Sequence, residues 1–177
     1  MPKFELNKTA IQSIESFIEN GSNKKLRRKL KDFHYADIAE IINELNSDQA
    51  TYLIKLLESD KTADALAEVD EDIREGILEN LSAKEIAKEI EELDTDDAAD
   101  LIGELPAERQ ERVMSQITDS DHLQDIKELL SYDEDKAGGL MAKELVKVEE
   151  GLSVLKCLNA MRAQAEEVTR VHSIYVV

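Results

Sequence analysis

Residues 78–105 read LENL-SAKEIAKEIEEL-DTDDAADLIGEL, and the two twelve-residue blocks repeat one pattern. Each block opens on a small polar residue, Ser82 or Asp94, and closes on Leu93 or Leu105, with Ile90 or Ile102 three residues before the close. The same spacing runs outward in both directions. Leu30, Ile42, Ile54, Leu66, Leu78, Ile90, Ile102, Met114 and Ile126 stand twelve apart. Three residues after each come Phe33, Leu45, Leu57, Val69, Leu81, Leu93, Leu105, Ile117 and Leu129. At 42% apolar content, an unbroken series of large apolar residues at fixed spacing is a structural repeat.

An i, i+3 apolar pair is one stripe of a helix, widened here at i−1 by Ile41, Leu53, Ile77, Leu101 and Val113. A twelve-residue unit holds a helix of two to three turns and a tight turn. The residue after the second apolar position is usually a helix-starting type. Asn46, Asp70, Ser82, Asp94 and Thr118 carry oxygens that accept from free N–H groups, and Pro106 suits a first helical position. Helices this short do not persist alone, because nucleation is costly. They must stack, which predicts an α-solenoid from about residue 24 to residue 130 with the stripe facing inward.

The pattern changes after Leu130. Residues 131–139, SYDEDKAGG, are acidic and then flexible, as in a connection between modules. Leu145-Val146-Lys147-Val148 alternates like a strand. Ser153 then caps a helix with Val154, Leu155, Leu158 and Met161 on its apolar side, and Ser173–Val177 reads as a second strand. A strand–helix–strand unit of this size leaves strand edges unpaired and lacks a core, so it is expected to be cut off or completed by a partner.

Charge narrows the partners. The 177 residues carry a net −18, with eight Lys/Arg against four Asp/Glu in residues 1–34 (+4) and 14 against 36 in residues 35–177 (−22). So acidic a body repels nucleic acid and favours metal ions or a basic partner. The longest apolar run, Ile174–Val177, is too short to span a bilayer, and the first twenty residues lack a signal-peptide centre, so a soluble fragment is expected. One cysteine, Cys157, excludes an internal disulfide, fits a reducing compartment, and reads as a small buried side chain.

No catalytic arrangement is present: His34, His122 and His172 are scattered, and no nucleophile elbow or phosphate loop occurs. The expectation is a protein that is not an enzyme. The run Lys24-Lys25-Leu26-Arg27-Arg28-Lys29-Leu30-Lys31 is an amphipathic helix with a solvated cationic face and no aromatic to stack a base. The acidic stretch around Asp94, Asp96, Asp97 and Asp100 is the better lead. Asp96 and Asp100 are i, i+4, so their carboxylates share a helix face, where a divalent cation relieves their repulsion. Magnesium commonly takes one or two carboxylates and keeps its waters.

These residues resemble a known family. Tyr132–Met141 (YDEDKAGGLM), Leu145-Val146-x-Val148, Ile174–Val177 and the acidic stretch Leu93–Asp100 are similar to the cytosolic part of MgtE-type magnesium transporters. The resemblance implies a mainly α fold: a right-handed superhelical N domain over residues 1–130, then a linker and an incomplete α/β CBS fragment over 131–177. It implies Mg2+ as regulatory ligand and transported ion, with Mn2+ or Ca2+ able to substitute. Asp96, Asp100, Asp64 and the Gly139 carbonyl fall on the family's metal-contacting positions. The implied partners are the remaining CBS domains and the transmembrane domain of the same transporter, a homodimer at full length, at the cytoplasmic face of the cell membrane. Metal-driven closure of the N domain on the CBS domains would gate the pore. The alternative is an armadillo-like helical-repeat interaction scaffold without metal function, similar to domains of flagellar motor switch proteins.

Overall fold

Eight helices begin at residues 23, 35, 47, 59, 71, 83, 95 and 107, each twelve after the last. They belong to a computed structural model that describes residues 7–57, 59–133, 136–165, 168, 171 and 173–177. Its elements are α1 (Lys8–Glu19), α2 (Asn23–Leu30), α3 (Tyr35–Asn43), α4 (Ser47–Leu56), α5 (Ser59–Glu68), α6 (Glu71–Asn80) and α7 (Ala83–Ile90). Next come α8 (Thr95–Gly103), α9 (Ala107–Met114), α10 (Ser120–Leu129), β1 (Val146–Val148), α11 (Val154–Gln164) and β2 (Ile174–Val176). The protein is mainly helical with a small two-stranded sheet.

The caps show why the helices start where they do. Asn46 and Ser82 each accept from the backbone N–H three residues on, while Gln49 and Glu85 reach back to the cap N–H. Pro106 occupies the cap position itself, and Ala107 is the first helical residue. The next helix of the series begins thirteen residues after α9, so Asp119 caps α10, its carboxylate accepting from the N–H groups of Asp121 and His122. Thr118, the expected cap, instead donates through its N–H and hydroxyl to Glu91.

The chain divides into two compact units, Met1–Leu93 with Glu104–Thr118, and Asp94–Gly103 with Asp119–Val177. In the first unit, helices two apart in sequence pack together: α3 on α5, α5 on α7, α7 on α9, and α4 on α6. Ile42, Ile54, Leu66, Leu78 and Ile90 of the stripe are at most 2% exposed. Leu45, Val69, Leu81 and Leu105, just past their helix ends, are also buried, whereas Phe33, Leu57 and Met114 are half-buried. Helix α1, which the twelve-residue register does not reach, buries Ile11 and Ile14. Its end is a Schellman turn: Gly21 takes φ +59, Gly21 N–H donates to Ile18 O and Ser22 N–H to Phe17 O.

In the second unit α8 packs on α10, and α11 packs on β1, which pairs in parallel with β2 in the register Val146↔Ile174 and Val148↔Val176. The Gln164 side chain accepts from Lys147 N–H and donates to Lys147 O, pairing backbone groups of β1. The apolar side of α11 is uncovered, with Val154 at 86% and Leu155 at 69% exposure. Cys157 is half-buried, more open than expected, with its thiol directed to Leu152 O.

Two glutamates set opposite pH dependences in the first unit. Glu85 accepts from the Ser82 backbone and hydroxyl and from Lys55, which lowers its pKa to about 2. Burial pushes the pKa of Glu89 up, against the hydrogen bond from Thr62. A depressed carboxylate stabilises above its unfolded value of 4.5 and loses that contribution as pH falls towards about 2. A raised carboxylate keeps its proton longer in the folded state, so its contribution declines as pH rises above 4.5. Glu89→Gln is therefore expected to flatten the decline of the urea midpoint above pH 4.5. Glu85→Gln should flatten the acid limb instead. A Glu89→Gln curve parallel to wild type would show that burial places no penalty on this charge.

Candidate functional site

Helix α8 carries the acidic stretch, and its sequence TDDAADLIG explains its pose. Ala98, Ala99, Leu101 and Ile102 are buried, so the carboxylates are left to the outer side. Asp96 is half-buried while Asp97 and Asp100 are exposed. Acidic residues in the first turn also meet the positive end of the helix dipole favourably. Asp96 and Asp100 thus stand one turn apart, on an element fixed by its apolar side.

The start of α8 is tied to the connection that leads to β1. Thr95, 1% exposed, donates from its N–H to Glu144 Oε1 (3.0 Å) and from its hydroxyl to Glu144 Oε2 (2.9 Å). Lys143 N–H donates back to the Thr95 hydroxyl at 3.2 Å. The Lys143 ammonium lies 2.8 Å from Glu128 and 3.9 Å from Asp125, both on α10. Its hydrogen bond holds the Glu128 carboxyl below the usual range, and the same bond raises Lys143. Neither Glu144 nor Lys143 stands out in the sequence, because each meets partners 15 to 49 residues away.

Gly139 lies in the turn that precedes this anchor, its N–H donating to Lys136 O at 3.0 Å. A Cβ at its neighbour Gly138 would fall 2.6 Å from ring carbons of Tyr132, so a side chain there would displace that ring. Asp96, Asp100 and Gly139 therefore belong to the same unit. Asp64 belongs to the other, half-buried on α5. Among the described residues, no three His, Cys, Asp or Glu side chains are grouped as a metal-ligand set. The donor chemistry of α8 still suits a hard cation, since two accessible carboxylates offer oxygen ligands and leave room for water.

The first unit holds a second acidic feature that the sequence pattern does not single out. Glu71, Glu75 and Glu79 lie a turn apart on α6 and, with Glu104, line a groove of about 280 Å³. Arg74 pairs with Glu104 through Nε (2.9 Å) and donates to Ala67 O (2.8 Å) and Val69 O (3.0 Å) at the end of α5. Arg109 donates to Leu78 O and Leu81 O at the end of α6. Both arginines satisfy helix-end carbonyls, a structural role. His34 caps α3, its Nδ1 accepting from Ala36 N–H, and His122 sits in the first turn of α10. His172 lies outside the described residues.

The sequence pattern of the family described as the MgtE intracellular N domain matches residues 33–135. The chain belongs to that family. Over 49 residues the chain is also 45% identical to the magnesium transporter MgtE of Thermus thermophilus, covering 28% of this chain and 11% of that protein. The matched stretch thus spans about a tenth of that relative's length. A crystal structure of the cytosolic domain of the Mg2+ channel MgtE, in complex with ATP, superposes with a TM-score of 0.83 at 29% identity. That likeness covers 94% of this chain and 68% of the other. The soluble part of a magnesium transporter shares the fold at a TM-score of 0.79 and 22% identity, over 94% and 66%. No helix among the described residues of this MgtE N-domain protein is long and apolar enough to cross a membrane.

Proposed function

We propose that this chain is a magnesium-sensing regulatory part of a magnesium transporter, acting at the cytoplasmic face of its membrane. The observation that carries the reading is the pair Asp96 and Asp100, one turn apart and accessible on a helix inside the family match. In this reading residues 1–130 form the regulatory N domain, and residues 131–177 form the linker and the opening of a CBS domain. Asp96, Asp100 and the Gly139 carbonyl of the second unit supply part of a cation shell, Asp64 of the first unit is a separate cation-contacting position, and further CBS segments supply the remaining ligands. Mg2+ fills it, with Mn2+ and Ca2+ as oxygen-seeking competitors. The uncovered Val154, Leu155, Ile174 and Val176 support a completing CBS partner, and homodimerisation belongs to the same proposal.

The mechanism rests on charge. Without cations, acidic surfaces favour separated domains. A divalent ion that binds the closed arrangement better than the open one shifts the equilibrium towards closure, and the transmembrane pore reads that shift. Regulation of this kind calls for no catalysis by the chain.

The test is Asp96→Asn with Asp100→Asn in the full-length transporter, read by protease protection of the linker as Mg2+ is raised. The protection midpoint is expected to move to about tenfold higher Mg2+, within the usual range of coupling between sites. Circular dichroism should be unchanged, because both side chains lie outside the core. An unmoved midpoint in the folded variant would reduce these carboxylates to a solvated acidic face.

A further inference from the structure

The proposed magnesium sensing assigns no role to the cationic face of α2. Six of the eight residues 24–31 are Lys or Arg, while Leu26 and Leu30 on the other side are at most 1% exposed. The helix is held firmly. The Schellman turn at Gly21 delivers it, the Tyr52 hydroxyl of α4 donates to Asn23, and the Lys25 ammonium lies 5.9 Å from the Phe17 ring. Lys24, Lys25, Arg27, Arg28 and Lys31 are exposed. Among the described residues, no carboxylate lies within ion-pair distance of any of the six cations, although Lys55, Arg74, Arg112 and Lys143 all have such partners.

A second helix enlarges the patch. Arg27, Arg28 and Lys31 line a groove of about 350 Å³ with Lys61 of α5, over an apolar floor of Leu30 and Leu57. The Lys61 ammonium donates to Lys31 O, at the carbonyl end of α2. That bond offsets the negative end of the helix dipole, which would otherwise repel an anion, and it leaves two of the three ammonium donors free of that contact.

We propose that the cationic face of α2, with Lys61, docks on the phosphate headgroups of an anionic lipid bilayer. Guanidinium forks and ammonium groups match phosphate oxygens, and the six cations of residues 24–31 have no carboxylate among the described residues at ion-pair distance to compete. An eight-residue helix is about 12 Å long, so its row of cations spans several headgroups rather than enclosing one phosphate. Leu26 and Leu30 already face the protein core, so the contact is electrostatic and peripheral, without insertion. The acidic remainder of the chain is screened beyond about 8 Å at physiological salt. Nucleic acid fits less well, because α2 has no aromatic side chain on which bases could stack. The proposal rests on the proposed function only in setting a bilayer nearby, and it can be tested without magnesium or transport.

The experiment is co-sedimentation of the full chain with phosphatidylcholine vesicles containing either none or about 30% phosphatidylserine, at about 50 mM and about 300 mM salt. Binding is expected only to the anionic vesicles and only at low salt. Arg27→Gln, Arg28→Gln and Lys31→Gln together should weaken it roughly a hundredfold, and Arg28→Gln alone about fivefold. Lys84→Gln, Lys88→Gln and Lys127→Gln together remove the same charge elsewhere and should bind as wild type. Equal sedimentation with both vesicles, or a triple α2 variant that binds as wild type, would overturn the proposal. Displacement by inorganic phosphate beyond matched chloride would assign the groove to free phosphate instead. Tighter retention on a single-stranded oligonucleotide would assign it to nucleic acid, and either result overturns the bilayer assignment.

Discussion

Truncating Leu66 or Ile90 to alanine is expected to lower the unfolding free energy by about 2–5 kcal/mol, the usual range for emptying a fully buried aliphatic site. Both side chains are 0% exposed, and they sit on α5 and α7, helices that pack directly on one another. Helix α5 also packs on α3, so Leu66→Ala weakens a row of helices from its middle. Neighbouring helices of eight to ten residues cannot compensate, because they hold their shape only through such contacts. Leu57→Ala is the internal control: a half-buried leucine of the same series should cost less than about 1.5 kcal/mol. Urea titrations followed by far-ultraviolet circular dichroism decide the matter. Losses below about 0.5 kcal/mol at both Leu66 and Ile90 would mean the stripe is not the core.

The repeat was legible because one helix and one turn consume the same number of residues each time. Every repetition of the stripe therefore falls at the same point, near a helix end. Where that count changes by one residue, at α10, the register still finds Ile126 and Leu129 but misassigns the cap to Thr118. Helix α1 escaped the register although Asn7 caps it and Ile11 and Ile14 mark its buried side. The chemistry of α8 was legible for the same local reason, since i, i+4 spacing fixes a shared face. The contacts that hold α8 in place were not. Glu144 is one acid among many in sequence, and only the return of the linker brings it to Thr95, 49 residues back. Arg74 and Glu104, 30 residues apart, are hidden in the same way. On α11, only Cys157 departs from its expected burial, because an apolar helix face reports what it would bury, not whether a neighbour covers it.

Glu144→Ala should release the linker. The substitution removes an acceptor from two donors on Thr95, one backbone and one hydroxyl, at the N-terminus of a helix where free N–H groups are concentrated. Hydrogen bonds to a charged group contribute about 1.5–3 kcal/mol each, and partial access of water to Glu144 brings the expected local loss to about 2 kcal/mol. Amide exchange at Lys143–Val146 should then accelerate about thirtyfold, while the amides of α5 and α7 keep wild-type protection. Glu144→Gln keeps one acceptor oxygen and should show a smaller effect. Thr95→Val, which keeps the backbone donor and removes the hydroxyl, should also fall between. All three are measured with divalent ions chelated, so the outcome does not depend on metal binding. The functional weight of the result is geometric: Asp96 is the next residue after Thr95, so the segment entering β1 is fastened to the first turn of the helix that bears the acidic pair. A displacement of α8 is then carried to β1 through two residues, Lys143 and Glu144. If exchange at 143–146 is the same in Glu144→Ala and wild type, the linker is held by the Lys143 contacts to Thr95, Asp125 and Glu128, and the Glu144 carboxylate does not fasten it to α8.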